Sequence, residues 1–194
     1  MSLKERGYSV LIVSAAEKLN TGLSEFLTGP LYGPVRFVGA VSAARRLWNE
    51  KRYDFVIISS PLPDETGVSF AADIASARAA VVLLLVRSEI HDEIHERVVG
   101  QGVFTLPKPF TKNAFLTALQ WMESACEALR KSEKRVLSFE EKMEEIRLVN
   151  RAKWLLISEL QMDEPQAHRY IEKQAMDRSV TRKTVAEELI RLYS

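Results

Sequence analysis

Short apolar runs alternate with amphipathic stretches over the first 121 residues. Tyr8-Ser9-Val10-Leu11-Ile12-Val13 reads as a buried strand, and Glu17 to Leu27 as a helix. Val35-Arg36-Phe37-Val38 is a second strand, followed by a helix from Ser42 to Lys51 with Ser42 placed to cap it. Phe55-Val56-Ile57-Ile58 is the third strand, leading through a proline-rich turn to a helix from about Val68 to Ala77. Ala80 to Val86 forms the fourth, with a helix through Val99, and Val103-Phe104-Thr105-Leu106 the fifth, with a helix from near Thr111. The runs are continuous and β-branched, as strands covered on both faces require. Five βα units predict a doubly wound parallel sheet, with right-handed crossovers putting alternate helices on opposite faces. Periodicity leaves the strand order open.

From Trp121 the pattern changes to helix alone, with no Gly or Pro between Thr111 and Pro165. With Met122 at heptad position a, the a series is Met122, Leu129, Val136, Met143 and Asn150. The d series is Ala125, Ser132, Phe139, Ile146 and Lys153. Seven of these ten are apolar, flanked by Glu123, Glu127, Lys131, Lys134 and Lys142, which predicts a coiled coil. One long amphipathic helix packed on its own chain fits the same pattern. The long helix is expected to end near Gln161. A second opens at Asp163-Glu164-Pro165, with Asp163 as cap, and runs to about Met176. A third opens at Ser179 or Thr181 and ends near Tyr193. The expected divisions are 1–121, a linker helix 122–145 and a helical module 146–194.

Composition narrows the function classes. The 194 residues are 46% hydrophobic and carry 27 basic and 26 acidic side chains, a net charge of +1. That balance exerts no global pull on nucleic acid or an anionic membrane, so any such binding needs a local patch. A single cysteine, Cys126, excludes an intrachain disulfide and fits a reducing compartment. It stands beside no catalytic histidine and reads as an inert thiol. The start, Met1-Ser2-Leu3-Lys4-Glu5-Arg6, has no apolar run of the kind a signal peptide needs, and the longest apolar run, Ala79 to Val86, is 8 residues. A cytoplasmic protein without membrane contact is expected. His91 and His95 are spaced i, i+4 as zinc ligands can be, but Asp92 follows the first histidine and no third ligand is evident. They read as solvated helix surface, with no metal and no cofactor.

Lys108-Pro109-Phe110-Thr111 after the fifth strand and Pro63-Asp64-Glu65-Thr66-Gly67 after the third, set on five βα units, resemble the receiver domain of two-component response regulators over about residues 7–121. The resemblance implies a flavodoxin-like, five-stranded doubly wound sheet. It also implies a phosphorylation site: paired carboxylates after strand one holding Mg²⁺, an aspartate after strand three, a hydroxyl after strand four and a lysine after strand five. A carboxylate nucleophile facing a phosphoryl dianion needs a hard cation to offset the charge. Here the strand-one positions hold Ser14 and Ala15, the acceptor position Ser59, and the hydroxyl position Arg87 with Ser88 beside it. Only Lys108 remains. The site is therefore expected to be degenerate, a pseudo-receiver without acyl-phosphate chemistry. Arg87 is expected either at the surface or in the vacated pocket, and Lys108 on local carbonyls or an anion.

Val149-Asn150-Arg151-Ala152-Lys153-Trp154-Leu155-Leu156-Ile157, Glu164-Pro165-Gln166-Ala167-His168, Ala175-Met176-Asp177-Arg178-Ser179 and Val185-Ala186-Glu187-Glu188-Leu189-Ile190 resemble the ANTAR domain, an antitermination module. Trp154 departs from it, standing where that family often has glycine. The resemblance implies dimers that bind tandem stem-loops in a nascent transcript. From Ile146 onward nine basic residues face seven acidic ones, so the footprint matters only if clustered. The candidates are Arg151, Lys153, Arg169, Lys173, Arg178, Arg182 and Lys183, with His168 and Tyr170 near enough to stack on loop bases. Solvated charges around a core of Leu155, Ala167, Ile171, Met176, Val185 and Leu189 are the plain alternative. Trp154 and Tyr170 are expected to pack rather than stack.

The combined expectation is a non-enzymatic RNA-binding antitermination regulator. It would be a homodimer through the coiled coil, controlled by a sensor protein or other protein contact. A DNA-binding transcription factor is the alternative, weakened by a third helix whose only basic residues are Arg182, Lys183 and Arg191. A scaffold without nucleic acid would follow if the basic residues were dispersed.

Overall fold

A computed structural model describes residues 7–193; the charged start that argued against a signal peptide lies outside them. The chain forms two compact units, Met1–Arg130 and Lys131–Ser194.

In the first unit five strands, β1 (Tyr8–Val13), β2 (Tyr32–Val38), β3 (Phe55–Ser59), β4 (Val81–Arg87) and β5 (Phe104–Lys108), form one parallel sheet. Its order is β2-β1-β3-β4-β5. Successive strand residues point to opposite faces. Leu11, Val13, Val56, Ile58, Val82 and Leu84 therefore pack under α2 (Val41–Glu50), α3 (Val68–Ser76) and α4 (His91–Val98). Val10, Ile12, Phe55, Ile57, Val81 and Leu83 pack under α1 (Glu17–Phe26) and the start of α5 (Lys112–Leu160).

Helices thus do not alternate between faces as expected. The chain runs one way from β1 to β2, then reverses and steps through β3, β4 and β5. A right-handed crossover puts its helix on a face set by the direction of travel, so α2, α3 and α4 share one face. Ser42 is not the cap of α2. That helix begins at Val41, and its N-cap, Ala40, makes no side-chain bond. Instead the Asp64 carboxylate accepts from the Val41 and Ser42 amides at 3.1 and 2.8 Å. Those bonds hold the Asp64 pKa down at about 2. Gly67, with φ of 76°, lets the same turn enter α3; a Cβ there would lie 2.8 Å from Ile58 Cγ2.

Met122, Ala125 and Leu129, the first positions of the predicted seam, belong to this unit's own core. So does Cys126, which is buried. Below them Tyr8 Oη donates to Glu127 at 3.2 Å and Tyr32 Oη to Glu123. Arg130 donates to Asp54 at 2.7 Å and to Glu127 at 2.9 Å.

The second unit holds the rest of α5, with α6 (Glu164–Asp177) and α7 (Arg182–Tyr193). Asp163 caps α6 as expected, in a capping box with Gln166. Thr181 rather than Ser179 opens α7, its hydroxyl accepting from the Thr184 amide at 3.1 Å. Val149, Ala152, Leu156, Ala167, Ile171, Ala175, Val185, Ala186 and Leu189 form the core. Met176 was expected there and is 80% exposed. The small residues Ala152, Ala175 and Ala186 take such places because they let the three helices approach closely. Among the described residues no helix is long and apolar enough to cross a membrane.

Candidate functional site

The carboxyl ends of β1, β3, β4 and β5 bring the predicted phosphorylation-site positions to one edge of the sheet. Val13 pairs with Ile58 and Arg87 with Lys108, so Ser14 follows β1 beside Ser59, and the two cations stand side by side. Ser14, Ser59 and Ser60 are buried. Lys108 Nζ donates to Ser59 Oγ at 2.9 Å and to the Ser60 carbonyl at 2.6 Å. Its ammonium thus binds one carbonyl and one hydroxyl.

Burial pushes the Lys108 pKa down, and the nearby Arg87 charge pushes the same way. Arg87 is exposed, settling the choice between surface and pocket. Ser88, beside it, turns its hydroxyl to the Lys108 carbonyl at 2.9 Å. Ser14 Oγ accepts from the Ala16 amide at 3.3 Å, so Ser14 and Ala15 make a turn where the paired carboxylates were implied. Hydroxyls and a methyl at these positions supply no anionic ligand for a divalent ion. No cluster of three or more acidic, histidine or cysteine side chains suited to a metal occurs among the described residues.

His91 and His95, expected as solvated helix surface, are half-buried. His91 Nε2 and His95 Nδ1 lie 3.1 and 2.8 Å from the same Thr105 Oγ1, with the rings nearly parallel. Thr105 lies on β5, ten residues past His95 and fourteen past His91, so the i, i+4 spacing gave no sign of it.

In the second unit the seven basic candidates divide. Lys153 Nζ pairs with Glu164 at 3.0 Å. Arg178 grips Glu188 with two bonds of 2.6 and 2.8 Å, and Arg182 meets Glu145 at 3.1 Å. These three join neighbouring helices. Arg151, Arg169 and Lys173 are exposed and Lys183 half-buried, none in an ion pair among the described residues. Arg169 and Lys173 share a face of α6 with Tyr170 between them. His168 is paired with Glu172 at 3.2 Å.

Residues 138–190 match the ANTAR domain. The transcriptional regulatory protein PdtaR of Mycobacterium tuberculosis is 30% identical over 181 residues, 93% of this chain and 88% of the relative. The chain belongs to the ANTAR-type response regulators. That is a family of transcriptional regulators.

The receiver fold of this ANTAR regulator has solved counterparts. A signal receiver domain from an HD domain-containing protein of Pseudomonas fluorescens superposes with a TM-score of 0.58 at 22% identity, covering 70% of this chain and 97% of that one. The chemotaxis response regulator CheY4 of Vibrio cholerae gives 0.53 at 21% identity, over 60% and 99%. Such identities establish the fold.

Sequence reasoning missed two features of the ANTAR unit. Arg147 is exposed one turn before Arg151 and was left off the basic set. Trp154, expected to pack, is 71% exposed. The i, i+4 arginine spacing was available in the sequence; the indole's exposure was not, because aromatic side chains are buried by default.

Proposed function

We propose that this ANTAR regulator binds stem-loops in nascent RNA as a homodimer and acts by transcription antitermination, without a phosphoryl switch. The observation that carries the reading is the uncommitted basic set, Arg151, Arg169, Lys173 and Lys183, displayed on the unit that matches the ANTAR domain. Lys153, Arg178 and Arg182 then act as braces that hold this surface in shape. Dimerisation is supported by the stripe Val136, Phe139, Met143 and Ile146, all exposed along α5. Phosphorylation independence is supported by Ser14, Ala15 and Ser59 in place of carboxylates and by Lys108 bonded to Ser59. Control enters by contact, from a sensor protein that grips the receiver-like unit or the coiled coil. No catalytic role is assigned, and the setting is the cytoplasm.

The decisive measurement is binding of the full chain to a tandem stem-loop RNA and to a duplex DNA of equal charge, at two salt concentrations. RNA preferred at both salts is the expected result; equal or better binding of DNA overturns it in favour of a DNA-binding factor. Incubation with a small phosphodonor and Mg²⁺ should leave the mass unchanged. A phosphoryl adduct on the receiver-like unit would sink the phosphate-independent part alone.

A further inference from the structure

An indole in mid-helix seldom stays in water, because its burial is worth more than that of almost any other side chain. Trp154 is 71% exposed. On α5 the buried Val149, Ala152 and Leu156 mark the inner face, and Trp154 stands opposite with Arg147, Asn150, Arg151 and Ser158, all exposed. Arg147 and Arg151 are i, i+4, a like-charged spacing that weakens a helix. Neither meets a carboxylate at ion-pair distance among the described residues. Two uncommitted guanidiniums and an amide around a bare ring match a flat base carried on phosphates. An indole offers a stacking face to such a base, guanidiniums suit the adjoining phosphates, and the Asn150 amide offers both a donor and an acceptor to a base edge.

A second copy of the chain is the rival occupant, since the stripe from Val136 to Ile146 leads towards this face. Two features end that seam before Trp154. In a parallel pair the g-position Lys142 would face the e-position Arg147 of the other helix, cation against cation. The next d position, Lys153, is turned to its own Glu164 at 3.0 Å with its side chain only 16% exposed.

We propose that Trp154, flanked by Arg147 and Arg151, stacks on an unpaired base of an RNA loop and so helps this chain choose its stem-loops. The inference rests on the RNA-binding function proposed above. The test begins with a pool of RNA hairpins of constant stem and randomised loop, selected on the full-length protein. Affinity for the selected hairpin is then compared for the wild type, Trp154→Ala and Trp154→Phe, with the same stem closed as a blunt duplex for control. Oligomeric state is followed by sedimentation.

Trp154→Ala should bind the selected hairpin about tenfold more weakly or worse. Trp154→Phe should recover most of the loss, while the blunt duplex and the oligomeric state stay unchanged. Full hairpin affinity in Trp154→Ala would overturn the stacking role and leave the RNA-binding function standing. Loss of hairpin binding together with dissociation would overturn it too, by assigning the indole to self-association. A wild type that selects no hairpin at all removes the RNA-binding function and this inference with it.

Discussion

One helix, α5, carries apolar residues at similar spacing in its first stretch and in its middle one, and the two stretches meet opposite fates. In the first, Phe115, Leu119 and Met122 are fully or almost fully buried against the sheet. In the second, every residue from Lys131 to Glu144 is exposed, among them Val136, Leu137 and Phe139. Heptad spacing therefore reports an apolar stripe without saying what covers it. The first stripe is covered by strands of its own chain; the second is exposed.

The sharpest way to break this contrast is to remove one phenylalanine from each stretch. Phe115→Ala empties a site with no exposure and should lower unfolding stability by about 3–5 kcal/mol. Phe139 is 65% exposed, so Phe139→Ala at a concentration that keeps the chain monomeric should change stability by less than about 0.5 kcal/mol. Its effect should appear in sedimentation instead, as weakened self-association. Equal losses in urea titrations of the two variants would mean that the second stripe is already covered within the chain.

A smaller effect tests what fastens the first stretch. Asp54 accepts from the Ser9 amide and hydroxyl at 2.8 and 2.7 Å and from Arg130 at 2.7 Å. Burial pushes its pKa up, but the bonds from Ser9 and Arg130 outweigh that and leave it below the usual carboxylate value. A depressed folded-state pKa means stability that is present in full above the unfolded pKa, near 4, and is lost as pH falls through the lower folded value. Asp54→Asn should thus cost on the order of 2 kcal/mol at neutral pH, and the gap from wild type should close in acid. A gap of constant size across that range would show that the carboxylate charge contributes nothing.

What the sequence revealed follows from how local each cause is. The five strands were legible because each is a self-contained apolar run, and counting back from Pro63 was enough to place Ser59 at the sheet edge. The order β2-β1-β3-β4-β5 and the shared face of α2, α3 and α4 were not, since both depend on which strands pair across the chain. The same division runs through the ANTAR unit. Its helix limits were legible from Asp163, Pro165 and the helical spacing. The commitment of Lys153, Arg178 and Arg182 was hidden because their partners Glu164, Glu188 and Glu145 come from other turns and helices.

Two expected caps give the finest comparison between the units, one on each side of the same rule. Asp163 accepts from the Gln166 amide at 2.7 Å, while Gln166 Oε1 accepts from the Asp163 amide at 3.1 Å. Asp163→Ala removes the first bond and should cost about 1 kcal/mol in thermal or urea unfolding. Ser42 occupies a helical position, and the first amides of α2, those of Val41 and of Ser42 itself, are bonded by Asp64 from a different turn. Ser42→Ala should therefore stay within about 0.5 kcal/mol of wild type. Asp64→Ala, which strips both amides at once, should cost α2 about as much as Asp163→Ala costs α6. If Ser42→Ala proved the more damaging, the cap of α2 would be local after all, and the turn after β3 would lose its role in starting that helix.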